Sequence, residues 1–201
     1  MSEKEEIVRK GYDLMAGVYH DQRNIFKNKK ELEDFIGLLP RNATVLDLGC
    51  GAGVSVTNVL VDSGLSVTGI DFSESMLNLA TKNVPEVKFM KKNMTDLDFE
   101  DSTFDGLTAC YSIIHVPREK HVPLFQTFHR ILKPNGILLI SMGSTCWEGM
   151  GEFHGVQMFW SHYGPEKSLQ MLIDAGFEII VDKRILDGGE THYWILAKNR
   201  K

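Results

Sequence analysis

Hydrophobic and polar positions follow two rhythms along this chain. Over residues 3–38 apolar side chains recur at helical spacing and predict two helices, the second with Phe35, Ile36, Leu38 and Leu39 on one stripe and Pro40 as its stop. From Thr44 onward short β-branched or apolar runs alternate with longer amphipathic stretches, the pattern of βαβ units around a parallel sheet. The runs predict strands at Thr44 to Leu48, Ser66 to Ile70, Val87 to Met90, Phe104 to Cys110, Ile137 to Met142, Phe177 to Ile185 and His192 to Ala197. Helices fill most of the gaps. Ser73 reads as the cap of a helix carrying Met76, Leu77, Leu79 and Ala80, and Lys133-Pro134-Asn135-Gly136 as a turn between a helix and a strand. Between the last two strands stands only Leu186 to Thr191, too short for a parallel crossover and suited to an antiparallel hairpin. The expectation is an α/β fold with a mostly parallel sheet and one antiparallel strand near its far end.

Composition narrows the class. With 201 residues, 43% hydrophobic and 24% charged, the chain can bury one substantial core, so a single domain over 1–201 is expected, with 1–40 as an N-terminal helical cap. No apolar run is long enough to span a membrane, and the start Met1-Ser2-Glu3-Lys4-Glu5-Glu6 lacks a signal peptide's apolar core. A soluble, cytoplasmic monomer or homodimer without a membrane partner is expected. Three scattered cysteines, Cys50, Cys110 and Cys146, lack C-x-x-C spacing and suggest reduced, structural thiols with neither disulfide framework nor metal site. The formal charge of −5 gives no footprint for a polyanion, and Lys27, Lys29 and Lys30 are followed at once by Glu31, Glu33 and Asp34. That cluster reads as a solvated helix face, and no nucleic-acid partner is expected.

Chemistry concentrates where the first strand ends. In Thr44-Val45-Leu46-Asp47-Leu48-Gly49-Cys50-Gly51-Ala52-Gly53 an apolar run meets an acid and then alternating glycines, which reads as strand, tight turn and helix start. Glycine permits positive φ and close approach of a ligand to the backbone, and a helix N-terminus behind the turn offers unpaired N–H groups. Asp71, ending the second strand, stands where an acid takes both hydroxyls of an unmodified ribose; its competing reading is a helix cap. There is no G-x-x-x-x-G-K-[ST] and no third glycine of the dinucleotide fingerprint. A nucleoside without a triphosphate fits better.

At these residues the chain resembles the class I S-adenosylmethionine-dependent methyltransferases of small-molecule type, from about Tyr12 onward. Four stretches carry the likeness in order: VLDLGCGAG, GIDFSESML, KKNMTDLDF, and FDGLTACYSIIHV followed by HRILKPNGILLI. The resemblance implies a Rossmann-like, doubly wound, seven-stranded sheet with an antiparallel terminal strand, and S-adenosyl-L-methionine as cofactor. It implies Gly49 and Gly51 against the methionine part, Asp47 near its amino group, Asp71 on the ribose and Met76 near the adenine, with Tyr12, Tyr19, Cys50, Phe72 and His115 also among the cofactor-binding residues. It places Asn93 where the family often has an acid for the adenine amine; an amide still accepts through its carbonyl, and Asp96 is the acid a shifted loop would offer. The backbone of Met94 is a second adenine contact, and that of Cys110 meets the methionine moiety. For Met76 and Met94 ordinary core packing competes with ligand contact.

Methyl transfer from a sulfonium needs the acceptor held in line and water excluded, with a base only where the acceptor must lose a proton. His115 is the candidate base, either catalytic or a structural neighbour of the cofactor, while His154 and His162 read as surface or packing histidines. Gly143 to Gly164 holds Trp147, Phe153, Met158, Phe159, Trp160 and Tyr163. Residues 143–165 are therefore a candidate substrate lid, closing with Tyr12 and Tyr19 over an apolar acceptor pocket, or else rings packed on the sheet. Tyr111-Ser112-Ile113-Ile114 stands where nucleobase amino-methyltransferases carry an Asn-Pro-Pro-Tyr type motif, which argues for a small organic acceptor. A nicotinamide-dependent oxidoreductase, which calls for a Tyr-x-x-x-Lys or similar hydride-site pair and is disfavoured on the expectation that the chain has none, and a cofactor-binding module without catalysis are the alternatives.

Overall fold

The computed structural model describes residues 1–22, 29–187 and 189–201. Among them the order is α1 (Glu3–Gln22), α2 (Lys29–Gly37), β1 (Thr44–Leu48), α3 (Thr57–Asp62), β2 (Ser66–Asp71), α4 (Glu74–Asn83), β3 (Lys88–Lys91) and β4 (Phe104–Ala109). There follow α5 (His121–Ile131), β5 (Leu132–Gly143), β6 (Trp147–Phe153), β7 (Val156–His162), α6 (Pro165–Asp174), β8 (Phe177–Asp187) and β9 (Glu190–Asn199). Seven strands form one sheet in the order β3-β2-β1-β4-β5-β9-β8. All neighbours pair in parallel except β9, which runs antiparallel to both β5 and β8. This is the mostly parallel, Rossmann-like sheet that the strand pattern and the short last connection predict.

Alternation along the strands gives the sheet two dry faces. Leu46, Leu48, Leu138, Ile140 and Ile195 join Phe125, Phe128 and Leu172 of α5 and α6 on one side. Val45, Leu139, Trp194 and Leu196 join Leu32, Phe35 and Leu60 of α2 and α3 on the other. At Gly106 in β4 a Cβ would come 2.7 Å from the Phe35 ring, so this strand is bare where α2 presses closest. Because β1, β2 and β4 run the same way, their carboxyl ends open onto one edge, the usual ligand position in open α/β sheets.

Four details differ from expectation. Leu38 lies 47% exposed, and Leu32 takes its place on the buried stripe of α2. In the supposed solvated face, Glu31 is buried and pairs with Lys183 of β8 at 2.8 Å, while Lys27 lies outside the described residues. Residues 133–136 do not separate helix from strand: β5 starts directly after α5, and the stretch is a bulge between the pairs Phe104 with Leu132 and Gly106 with Ile137. Asn199 Nδ2 donates to the Leu132 and Lys133 carbonyls, and Lys133 Nζ to Asp105, which ties the bulge to the sheet.

The fourth concerns the segment of residues 143–165, read as a candidate lid or as rings packed on the sheet. It is a two-stranded hairpin of β6 and β7, paired from Trp147 with His162 to Phe153 with Val156. Its loop is His154-Gly155, with φ of +49° and +76°, the doubly positive arrangement that matches strand twist. The hairpin's inner face packs on α1, bringing Met158 and Phe159 against Val8 and Met15, with Tyr12, Tyr19, Phe153 and Trp160 around them. A Cβ at Gly11 would run into the Met158 sulfur, so helix and hairpin meet backbone-close there.

Removal of the fully buried ring by Phe35→Ala should cost about 3–5 kcal/mol, read as a shift in urea midpoint with the slope unchanged.

Candidate functional site

The cavity at the carboxyl edge begins with the glycine turn. Gly49 and Cys50 both donate their N–H groups to the Ile70 carbonyl, at 2.8 and 3.0 Å, which pins the turn to the end of β2. Gly49 has φ +72°, and a Cβ there would lie 2.5 Å from Ser112 Cβ, so glycine is required by both conformation and space. Gly51, at φ +54°, differs in that a Cβ would meet nothing within 4 Å. Its bare backbone faces open cavity. The helix expected directly behind the glycines starts only at Thr57 and has six residues, because the chain makes further turns over 51–56.

Two acids flank the turn. Asp47 is buried in β1 with one carboxylate oxygen accepting from Thr57 Oγ1 at 2.6 Å and the other from Thr108 Oγ1 at 2.9 Å. Asp71, at the end of β2, accepts from Gly51 N at 3.0 Å and Ser73 N at 2.9 Å. Burial nevertheless pushes its pKa up to about 6, because the amide N–H groups of Ser73, Gly51 and Phe72 replace only part of the lost hydration. The same burial, with Asp71 and Asp47 beside it, pushes the Cys50 thiol well above its usual range. Ser73 caps α4, accepting from Met76 N at 3.2 Å.

Helix α1 roofs the cavity and is fastened at two points. Asp13 accepts from Ser73 Oγ at 2.7 Å and Ser75 N at 3.1 Å, joining α1 to the start of α4. Glu5, only 2% exposed, takes Lys120 Nζ at 2.8 Å from each oxygen, Thr95 Oγ1 at 2.9 Å and Asn93 Nδ2 at 3.2 Å. Burial raises its pKa, but these donors and Ser2 N outweigh it and hold the carboxyl at about 2. The Asn93 carbonyl meanwhile accepts from Thr95 N at 3.0 Å.

At the opposite end His115 sits on a 3₁₀ turn, Ile113–His115, that follows β4. Its Nδ1–H donates to the Phe159 carbonyl of the hairpin at 2.7 Å, so in the neutral ring Nε2 accepts from the Tyr12 hydroxyl at 2.9 Å. Burial holds its pKa down to about 4. Tyr12 also meets Tyr19 edge-on, with ring centroids 5.5 Å apart.

The cavity encloses about 940 Å³ including the open space at its mouth. The thirteen residues that the resemblance assigns to the cofactor line it: Tyr12 and Tyr19 from α1, Asp47, Gly49, Cys50 and Gly51 from the end of β1 and the first turn, and Asp71, Phe72 and Met76 from the end of β2 onward. Asn93 and Met94 follow β3, and Cys110 and His115 follow β4. Met76 is 1% exposed and packs on Ala16 and Ala52, so it serves the wall of the cavity as well as the core. Asp96 is exposed and does not line the cavity, nor do His154, at the exposed hairpin tip, and His162, bonded to the Thr145 carbonyl. The spacing Tyr-x-x-x-Lys does occur, at Tyr163 and Lys167, but Lys167 is exposed on α6 and neither residue lines the cavity. The sequence reading missed Glu5, Tyr111 and Ser112 in the lining. Glu5 carries a signal that hides it: Ser2-x-x-Glu5 is a capping box, which explains the glutamate without any ligand.

A mostly parallel sheet, a glycine turn after β1 and an acid ending β2 are the arrangement with which open α/β proteins bind nucleosides. A family model described as a methyltransferase domain matches residues 45–136. Bacillus subtilis YqeM is 34% identical over 112 residues, covering 53% of this chain and 45% of that protein. Demethylmenaquinone methyltransferase of Bacillus licheniformis is 30% identical over 140 residues, 65% of this chain and 57% of that one. The chain thus spans about half the length of these curated relatives. In fold it is similar to the 1,6-didemethyltoxoflavin-N1-methyltransferase of Burkholderia thailandensis, with TM-score 0.74 at 21% identity over 100% of this chain and 92% of that one. Residues 45–136 thus resemble a methyltransferase domain, and the chain as a whole is similar in fold to a methyltransferase of known structure. Among the described residues no helix is long and apolar enough to cross a membrane.

Two buried neutral histidines make the fold acid-sensitive. His115 and His121, the latter donating Nε2–H to the Val116 carbonyl at 3.0 Å, are both held at about 4 by burial. Each therefore contributes stability above pH 6.5 that is lost as pH falls toward 4, at up to about 1.4 kcal/mol per pH unit. Asp71, raised to about 6, acts with the opposite sign between about pH 4 and 6 and offsets one of them. Urea midpoints should fall from pH 6.5 to 4.5, and His121→Phe should flatten that slope by about one proton.

Proposed function

We propose that this protein transfers a methyl group from S-adenosylmethionine to a small organic acceptor and releases S-adenosylhomocysteine. The observation that carries the reading is the two-ended cavity, with a buried carboxylate beside bare glycine backbone at one end and a Tyr12–His115 pair at the other. The residues fit the cofactor: open space beside Gly51 leaves room against the backbone, and Asp71 lacks enough donors to bring its pKa back to the ordinary range.

On this reading Asp71 takes the ribose hydroxyls, while Gly49, Cys50, Gly51 and the backbone of Cys110 border the methionine part, with Asp47 toward its amino group. Phe72, Met76, Asn93 and Met94 enclose the adenine. S-adenosylmethionine supplies a methyl group already activated on a sulfonium. What the chain adds is alignment and the exclusion of water by α1, which the hairpin supports, with Tyr19 and Tyr12 as ring walls. Since Nδ1 of His115 is committed to Phe159, an acceptor proton reaches Nε2 by way of the Tyr12 hydroxyl. His115 is then the far member of a pair whose near member is Tyr12. The likeness to a demethylmenaquinone methyltransferase supports a small organic acceptor.

A screen of small metabolites with methyl-labelled cofactor tests the function. Binding of S-adenosylhomocysteine without transfer to any acceptor would favour a non-catalytic module, and preference for NAD would favour an oxidoreductase. In the catalytic case Tyr12→Phe should lower turnover by about 100-fold on a hydroxyl acceptor while changing S-adenosylhomocysteine affinity less than about threefold.

The cofactor end carries its own pH signature. Ribose hydroxyls bind the ionised carboxylate, so affinity for S-adenosylhomocysteine should be nearly constant above pH 7 and fall about fivefold from pH 6 to 5. Calorimetry in buffers of different ionisation enthalpy should register release of up to one proton in that interval.

A further inference from the structure

The Glu5 carboxylate has more partners than a helix cap needs. The capping box uses Glu5 Oε2, which accepts from Ser2 N at 2.6 Å, and Ser2 Oγ, which accepts from Glu5 N at 3.3 Å. Such a glutamate ordinarily stands in water at the first turn of its helix. This one is 2% exposed, lines the cavity, and turns Oε1 to Asn93 and Thr95.

The consequence falls on Asn93. An ionised carboxylate only accepts, so the end of the amide facing Glu5 is NH₂; the Thr95 backbone N–H only donates, so the end facing it is the carbonyl. Turning the amide over would set its oxygen against a carboxylate and its NH₂ against an N–H. The side chain is therefore held in one of two otherwise similar orientations, and its carbonyl keeps a second lone pair. A 6-amino purine presents a donor to such an acceptor. A 6-oxo purine presents an oxygen, and only an amide able to turn over accommodates it.

We propose that Glu5 is a positioning residue for base recognition: by locking the Asn93 amide it makes the cavity prefer a 6-amino purine over a 6-oxo purine. This rests on the placement of the adenine at Asn93 proposed above. It also makes the docking of α1 part of reading the cofactor's base.

Calorimetric affinities for S-adenosylhomocysteine and S-inosylhomocysteine supply the test, with unliganded melts as the check on folding. Wild type should prefer the adenine compound by about tenfold or more, the size of one well-placed hydrogen bond. Glu5→Gln should weaken S-adenosylhomocysteine and narrow the ratio, because glutamine can donate as well as accept and no longer fixes the amide. Asn93→Asp should weaken binding by bringing two carboxylates together, and the double variant Glu5→Gln with Asn93→Asp should recover both affinity and ratio. Lys120→Met, which loosens α1 without touching the amide, should weaken both compounds alike. An unchanged ratio in Glu5→Gln, or a double variant no tighter than Asn93→Asp alone, would overturn the proposal. Should Glu5→Gln fail to fold, the comparison of Asn93→Asp with the double variant still decides. Full affinity in Asn93→Ala would instead overturn the placement of the adenine.

Discussion

The structure turns on one buried carboxylate. Asp71 accepts from Gly51 N in the first turn and from Ser73 N at the start of α4, so a single side chain ties the glycine turn to that helix. Ser73 then passes the connection on, capping α4 and donating to Asp13 of α1, which Arg9 in turn holds at 2.5 Å. Turn, strand end, helix cap and roof helix are thus consecutive members of one hydrogen-bonded line. The arrangement is costly for the unliganded protein, since the carboxylate is nearly dry and its pKa stands near 6. Such a group gains from any ligand that brings hydroxyl donors, which is how a stability deficit becomes binding affinity.

Helix α1 unites the two ends of the cavity. Glu5, Val8, Tyr12, Met15 and Tyr19 are spaced three, four, three and four apart, which places them on one face of the helix. Its first turn reaches the loop after β3 through Glu5, its middle meets His115 through Tyr12, and Tyr19 extends the ring wall toward the hairpin tip. A rigid element of this kind makes the base end and the proposed acceptor end mechanically dependent. On the far side the helix shows Leu14 and Val18 to solvent, so its packing energy comes from the one face it turns inward.

Strands buried on both faces were legible because Val45-Leu46 and Ile137-Leu138-Leu139-Ile140 are continuous apolar runs with β-branched members, and the antiparallel end was legible from a connection too short for anything else. The β6–β7 hairpin was not. Its strands hold glycine at 149 and 151, and its turn is His-Gly, where doubly positive φ usually calls for Asn-Gly or Asp-Gly. Strand propensity there is low, and packing on α1 overrides it. In the site, residues fixed by local chemistry could be read: glycines at positive φ, an acid at a strand end, a serine cap. Glu5 could not, because its partners Asn93, Thr95 and Lys120 come from segments that only the fold brings together.

The hairpin also alters what its aromatic density means. A covering flap would be expected to turn its rings toward the ligand, yet Phe159 and Met158 are spent on α1, and neither Phe153 nor Trp160 lines the cavity. What the hairpin gives the site is a backbone carbonyl, that of Phe159, which fixes the proton of His115 on Nδ1 and leaves Nε2 for Tyr12. Ser161 Oγ adds a second tie, accepting from Arg118 N at 2.8 Å and donating to Glu148 at 2.6 Å, so the strand carrying Phe159 is held against the segment that follows His115. On this geometry the hairpin is a buttress. It sets a tautomer and supports the helix that does the covering, and the cavity's lining comes from α1 and the segments that follow β1, β2, β3 and β4.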